Sequence, residues 1–326
     1  MSNILVTGGA GYIGSHVAKL AGRAGHTLVT LDNLGKGFRE SVVAGELVVG
    51  DTGDQALVTE LLRTHCIDTV MHFAAFTIVP ESVSEPLKYY HNNTCKTRTL
   101  IECCMRAGVE NFIFSSTAAV YGIPADGVCS ETSPTGPINP YGQSKLMSEL
   151  MLRDACAASD MRHVILRYFN VAGSDPEGEI GQSTPGATLL IKVAAEVAVG
   201  RREALYVYGT DYPTPDGTGV RDYIHVTDLA SAHLAALDYL SAGGSSTTFN
   251  CGYGHGYSVR EVIAMVNRVA GKSINVVEAP RRAGDPPSLV AEARRIREAT
   301  GWTPSWDDLE AIVTHSLAWE RKLVAR

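Results

Sequence analysis

Two groups of residues in this 326-residue chain have types and spacings that could do chemistry. The first is Tyr141 and Lys145 in the run Tyr141-Gly142-Gln143-Ser144-Lys145. On a helix that starts after Pro140 they share one face. A phenol ordinarily titrates at about pH 10 and is a poor base. A nearby ammonium, and any second cation, stabilises the phenolate and draws that pKa toward neutrality. Pairs at this spacing also arise on helix surfaces without function. Upstream, Ser115-Ser116-Thr117 leaves a strand at its carboxyl end, where doubly wound sheets bind ligands. The Thr117 hydroxyl could hydrogen-bond a substrate oxygen, or these residues could simply end the strand.

The second group is Gly8-Gly9-Ala10-Gly11-Tyr12-Ile13-Gly14, which follows a strand and opens a helix. Without Cβ atoms the backbone can approach a pyrophosphate, and the helix N-terminus offers unpaired N–H groups and a positive dipole end. The same glycines could form only a tight strand-to-helix turn. Asp32, eighteen residues after Gly14, ends the second strand and favours the first reading. Its carboxylate can accept from both hydroxyls of an adenosine ribose, and its charge repels a 2′-phosphate, which favours NAD over NADP. Asp51, after the third strand, is placed either to reach the adenine edge or to cap the following helix.

Both groups need a scaffold that brings strand ends and helix starts to one edge. The first half alternates β-branched runs at 3–7, 27–32, 46–49, 69–73, 111–115 and 163–168 with helical spacing at 13–24, 55–64, 87–107 and 141–158. That alternation predicts an α/β fold with a doubly wound parallel sheet, helices on both faces. After Asn170 the rhythm changes. Gly- and Pro-rich stretches at 173–186 and 210–219 separate helical patterns at 187–200, 227–241, 258–270, 292–300 and 306–323 and short strands near 204–208, 248–250 and 275–277. The expected organisation is a cofactor-binding domain over 1–170 and a smaller α/β substrate-binding cap over 171–326, with some chain exchange between them.

Composition narrows the function. Hydrophobic residues at 45% supply a sizeable core, and 28 Lys and Arg against 35 Asp and Glu leave a net charge of -7, which argues against a nucleic-acid partner. No apolar run is long enough to span a bilayer, and the start reads as a strand rather than a signal peptide. Seven cysteines without a Cys-x-x-Cys pair read as free thiols of a cytoplasmic protein. No His-Glu-x-x-His or zinc spacing points to a metal.

The Gly8–Gly14 turn, Asp32-Asn33-Leu34, His72-Phe73-Ala74-Ala75, Ser115-Ser116-Thr117 and the Tyr141/Lys145 pair together resemble the extended short-chain dehydrogenase/reductase superfamily. Arg167-Tyr168-Phe169-Asn170, the stretch from Tyr212 through Gly219-Val220-Arg221-Asp222-Tyr223-Ile224-His225, and Arg281-Arg282-Ala283-Gly284-Asp285 narrow the resemblance to the UDP-glucose 4-epimerase family. The resemblance implies a Rossmann-like fold, a homodimer, and an NAD regenerated in each cycle. That NAD would be held by Gly8, Gly11, Tyr12, Ile13, Gly14, Asp32, Asn33, Asp51, Thr52, Phe73, Ala74, Ala75, Asn92, Ser115, Tyr141, Lys145 and Tyr168. Tyr141, assisted by Thr117, would take the proton of the sugar 4-hydroxyl in UDP-galactose or UDP-glucose, and Lys145 would hold the cofactor ribose. Phe169, Asn170, Leu189, Tyr208, Arg221, Arg282, Asp285 and Leu289 would contact the nucleotide-sugar, the arginines gripping the diphosphate and Tyr208 lying against the uracil. From sequence alone those arginines could equally form surface ion pairs, and Tyr208 could simply pack.

Three positions depart from the family: Thr77 where some members carry Lys, Leu189 where a polar Asn or His is usual, and Leu289, whose size is associated with tolerance of N-acetylated sugars. Related dehydratases carry Asp-Glu after the Thr, whereas this chain has Ala118-Ala119 and lacks the acid that water elimination needs. The remaining alternatives are a 4-epimerase of another UDP-sugar, N-acetylated or pentose, and a non-catalytic NAD-sensing protein, which would be expected to lose the Tyr/Lys pair.

Overall fold

A computed structural model describes residues 1–282 and 284–325. Seven strands form the central sheet: β1 (Asn3–Thr7), β2 (Thr27–Asp32), β3 (Glu46–Val49), β4 (Thr69–His72), β5 (Asn111–Ser115), β6 (Arg162–Tyr168) and β7 (Thr247–Cys251). Their spatial order is β7-β6-β5-β4-β1-β2-β3, and every pairing is parallel. The expected doubly wound sheet is therefore present. Its order reverses beside β1, which opens a crevice at the carboxyl ends of β1 and β4.

Alternation along each strand builds two cores. Ile4, Val6, Met71 and Ile113 face one side, where Val17, Ala18 and Ala21 of α1 (Tyr12–Arg23) cover them. Leu5, Val70, Phe112 and Phe114 face the other. There they meet Val58 and Leu61 of α2 (Gln55–Thr64), Leu100 and Ile101 of α3 (Lys96–Ala107) and Leu152 of α4 (Pro140–Ala157). The period-two pattern makes a continuous apolar run the right composition for a strand covered on both faces.

The predicted helix over 87–107 is not continuous. It resolves into Pro86–Tyr89, a π-helical turn at Tyr90–Cys95, and α3. The widened turn carries the buried Asn93 side chain to Phe76, whose N–H donates to it and whose carbonyl accepts from it, and to the Ser144 hydroxyl on α4. Helical spacing does not readily reveal this, because the one extra residue of a π-turn shifts the phase only from that point on and leaves each side helical.

The later half lends and borrows strands. It supplies β7 to the central sheet. The earlier half supplies Val128–Cys129 to a four-stranded sheet with Ser288–Ala291, Val220–Arg221 and Tyr257–Ser258. Asn170–Ala172 pairs with Tyr223–His225, and Leu205–Tyr208 with Val276–Ala279. Most of these short strands lie outside the sequence expectation, since two or three residues carry no period. Among the described residues no helix is long and apolar enough to cross a membrane. The seven cysteines are unpaired and five of them are buried.

Asp228, in α5 (Val226–Ser241), fastens the C-terminal segment to this frame. Its carboxylate accepts from Tyr253 Oη at 2.7 Å and from the amides of Ser305 and Trp306 at 2.9 and 2.8 Å. A buried donor left without its acceptor costs about 1–3 kcal/mol. The Tyr253 hydroxyl also reaches the Trp306 carbonyl at 2.9 Å, so Asp228→Ala strands the two amides and should destabilise the protein by about 2 kcal/mol or more. A fall in the urea midpoint checks this; an unchanged midpoint contradicts it.

Candidate active site

The glycine turn adopts the geometry that a phosphate cradle requires. Gly8 has φ +71, and a Cβ there would stand 2.6 Å from the Ala74 nitrogen; a Cβ on Gly14 would stand 2.4 Å from the Gly8 carbonyl oxygen. The 73–75 segment after β4 thus closes on the turn, with the Phe73 ring 4.9 Å from that of His233 on α5. No side chain caps the first turn of α1 and no acid stands in it, so its amides, those of Tyr12 and Ile13 included, point free at the crevice. Tyr12 offers only that amide, because its hydroxyl donates to the Gly173 carbonyl. Asp32 is buried, and one carboxylate oxygen accepts from the Ala10 amide, the other from Leu34. Each oxygen retains a lone pair for a ribose hydroxyl. A dinucleotide fits these residues: an uncapped helix start for its pyrophosphate and an acid for its ribose.

Of the two readings of Asp51, the helix cap is excluded. Asp54 caps α2 by accepting from the Leu57 amide. Asp51 instead pairs with Lys96 at 2.6 Å and accepts from the Gly53 amide and the Asn33 side chain. It stands with Asn33 and the buried Thr52 at the β2–β3 end of the crevice. Thr77, which replaces a lysine of some relatives, is exposed. Asn92 donates to Asn93 on the π-turn, and Tyr168 meets Ser115 hydroxyl to hydroxyl beneath the site.

Asn139 caps α4 by accepting from the Gly142 amide, and Pro140 occupies its first turn, so Tyr141 and Lys145 lie on one face at the start of a secure helix. Both are buried. Thr117 accepts from the Ala119 amide and hydrogen-bonds the Tyr141 phenol. The Lys145 ammonium sits 4.6 Å from the centre of the Phe114 ring. The expected acidification of Tyr141 by Lys145 is not met within the chain. Burial raises the Tyr141 pKa, opposed by the Thr117 hydrogen bond, while burial draws Lys145 down to about 7, opposed by Glu149. Dry surroundings penalise both charged forms, so the phenolate requires positive charge from outside the chain.

On the other side, Phe169 and Leu289 pack on Ala118, Val120 and Tyr121, next to Thr117. Leu289 is register partner to Arg221, and the Asn170 amide donates to the Asp222 carbonyl, so these four converge on the turn. Arg282 lies 3.7 Å over the Tyr208 ring, and the Asp285 amide donates to the Arg282 carbonyl. Leu189 precedes the helix Leu190–Ala198 and leaves its first turn without a side-chain cap.

Three residues outside the sequence expectation belong here. Asn93 clips the 76 loop to α4. Glu149 touches Ser116 from inside α4. Tyr212 is buried and is influenced by the charges of Asp285 and Arg221, while its hydroxyl has no hydrogen-bond partner among the described residues. The spacing of Glu149, one turn past Lys145, and the place of Tyr212 in the family-like stretch were the signals available.

Residues 4–252 match the NAD dependent epimerase/dehydratase family. The chain is 56% identical over 321 residues, 98% of its length and 92% of the relative's, to the UDP-glucose 4-epimerase of Azospirillum brasilense. It superposes with TM-score 0.95 on the UDP-glucose 4-epimerase of Brucella ovis in complex with NAD, at 44% identity, covering 97% of this chain and 98% of that one. It superposes with TM-score 0.87 on the UDP-Glc/GlcNAc 4-epimerase of Campylobacter jejuni, at 51% identity and 99% and 100% coverage. With the cradle, the Tyr141/Lys145 pair and these likenesses together, the chain belongs to the NAD dependent epimerase/dehydratase family.

Proposed function

We propose that this chain is a UDP-glucose 4-epimerase, interconverting UDP-galactose and UDP-glucose with an NAD that stays bound. The observation that carries the reading is the meeting of Tyr141 and Thr117 between the glycine cradle on one side and Arg221, Phe169 and Leu289 on the other. Relatives of that name at up to 56% identity over nearly the whole chain support it. Residues 1–170 hold the cofactor and 171–326 the nucleotide-sugar, with β7 and Val128–Cys129 exchanged between them.

NAD, when bound, supplies a hydride acceptor that returns the hydride within the same cycle. The chain's own residues do the rest. Tyr141 removes the proton of the sugar 4-hydroxyl, and Thr117 orients that oxygen and the phenol together. Lys145 holds the cofactor ribose through its ammonium. Asp32 and Asp51 take the adenosine end. Asn170, Arg221, Arg282 and Asp285 would grip the nucleotide, so that the 4-keto sugar could turn about its phosphate linkage and present the other face of C4 to the returning hydride while Tyr141 gives the proton back to the 4-oxygen. Tyr208 lies against the uracil, which requires Arg282 to leave the ring it covers and move to the diphosphate. The intact Tyr141/Lys145 pair argues against a non-catalytic sensor.

The direct test is conversion of UDP-galactose to UDP-glucose by purified protein without added cofactor, followed by release of NAD, not NADP, on denaturation. No conversion, or release of NADP alone, would overturn the reading. Tyr141→Phe removes one oxygen and little packing area, so it should lower kcat by about 10²- to 10⁴-fold with bound NAD unchanged. Near-normal turnover would remove this acid–base assignment.

The protein is a homodimer in this reading, and the unpaired cysteines suit the cytoplasm. Val83 and Leu87 are 64% and 79% exposed on short helices that pack beside α4, whose own Met147 and Leu150 are exposed. Exposed apolar side chains on adjoining helices suit an interface with a second copy. Sedimentation should give twice the chain mass, falling toward one chain in Leu87→Asp/Leu150→Asp. A wild-type monomer at micromolar concentration would contradict it.

Leu289 sets sugar breadth. Added bulk against a packed wall costs about 1–3 kcal/mol, so N-acetylated sugars should turn over about 10- to 100-fold more slowly than UDP-galactose. Leu289→Ala should raise the relative kcat/KM for UDP-N-acetylgalactosamine and Leu289→Tyr should lower it. An unchanged ratio across the three proteins would exclude Leu289 as the wall.

A further inference from the structure

Glu149 takes no part in the mechanism above, yet its carboxylate is fully buried at the back of the site. One oxygen accepts from the Ser116 hydroxyl at 2.5 Å and from Arg167 Nε at 2.9 Å; the other accepts from the Arg167 Nη2 at 2.5 Å and Arg153 Nη2 at 3.2 Å. Arg167, on β6, is itself 2% exposed and lies 4.9 Å over the Tyr121 ring. A buried pair of this kind gives little net stability over apolar side chains of equal size, so its retention calls for another explanation.

Position supplies one. Ser116 adjoins Thr117. Glu149 follows Lys145 by one helical turn and Tyr141 by two, on the same face of α4. We propose that Glu149 is a positioning residue for the epimerase reaction: its carboxylate seats the Ser116–Thr117 turn against Tyr141 and supplies the fixed negative charge that faces Lys145. The inference rests on the acid–base reading of Tyr141 and Lys145.

The groups around Lys145 leave Glu149 without a rival. On α4 itself stands Tyr141, neutral when buried. From β4 comes His72, held between the Thr7 and Thr97 hydroxyls and kept neutral by burial and by Lys145. From β5 comes the uncharged Phe114 ring, and from β6 come Tyr168, a neutral phenol, and Arg167, already paired with Glu149. The π-turn contributes Asn93, which is uncharged. Burial pulls Lys145 down and the Glu149 carboxylate opposes it, the two together leaving it at about 7. Without that carboxylate the ammonium loses its proton at lower pH. The charge-assisted Lys145 grip on the ribose is then lost.

The test is the pH dependence of kcat and KM for the NAD-loaded enzyme with UDP-galactose in wild type, Glu149→Gln, and Glu149→Gln/Arg167→Met. The Gln amide still accepts from Ser116, so the turn stays seated while the charge is removed. The double variant also removes the guanidinium that the single variant leaves unpaired. Both variants should move the alkaline limb of kcat to lower pH by about one unit, with KM unchanged. A wild-type pH profile in the double variant would show that Glu149 only balances Arg167, and would overturn the proposal. Failure of both variants to fold would assign Glu149 to stability alone and would overturn it equally. Turnover retained in Tyr141→Phe would instead bring down the acid–base reading itself, so the two failures are distinguishable.

Discussion

Lys145 and Tyr141 lie in a dry cleft, and dryness opposes the charge that each must carry. An ammonium and a phenolate are both penalised there, one drawn down to about 7 and the other pushed up. Much of the surrounding structure responds to that constraint. Phe114 offers a ring face to the ammonium, Thr117 a hydroxyl to the phenol, and Glu149 a carboxylate one turn below. None of these suffices to ionise Tyr141. The arrangement is a base held incomplete, which acquires its missing positive charge when the crevice is filled. In the proposed mechanism, proton abstraction is thereby tied to cofactor occupancy.

Around this pair, buried polar side chains join elements that apolar packing leaves free to slide. Asn93 fixes the 76 loop to α4 through Phe76 and Ser144, and Glu149 with Arg167 fixes α4 to β6. Asp222, fully buried, accepts from the amides of Tyr253, Gly254 and Ala291 and so holds the strand bearing Leu289 beside Arg221. The substrate side contrasts with this. Tyr208 and Arg282 cover one another at the surface, Arg281 pairs with exposed Asp211, and Tyr212 retains an unpartnered hydroxyl among the described residues. A rigid cofactor side and a less committed nucleotide-sugar side suit a reaction in which the sugar must turn while the nucleotide stays held.

The parallel sheet was legible because each of its strands is covered on both faces and reads as an apolar run, as Ile4-Leu5-Val6 and Phe112-Ile113-Phe114 do. The cradle was legible because a Cβ at Gly8 or Gly14 would strike backbone atoms, which leaves glycine alone at those positions. Other features were hidden for physical reasons. The π-turn at Tyr90–Cys95 leaves a helical pattern on each side and shifts only its phase. Strands of two residues, such as Val128–Cys129, exist only through partners far away in sequence. Glu149 looks like any helix acid until Arg167 and Ser116 are seen to enclose it. Asp51 offered two readings, and only the structure assigns the cap to Asp54. The Lys145 share of the expected Tyr141 ionisation is missing, because spacing reports proximity and not dryness.

If the crevice works in this way, Tyr141 ionises through positive charge brought by the cofactor and not by the chain. Ultraviolet difference titration of tyrosinate measures it, with Tyr141→Phe subtracted, in protein loaded with oxidised and then with reduced cofactor. The two forms fill the same crevice and differ by one positive charge on the nicotinamide. The Tyr141 midpoint should be lower by about one unit or more with the oxidised form. Equal midpoints in the two forms would contradict this origin of the phenolate.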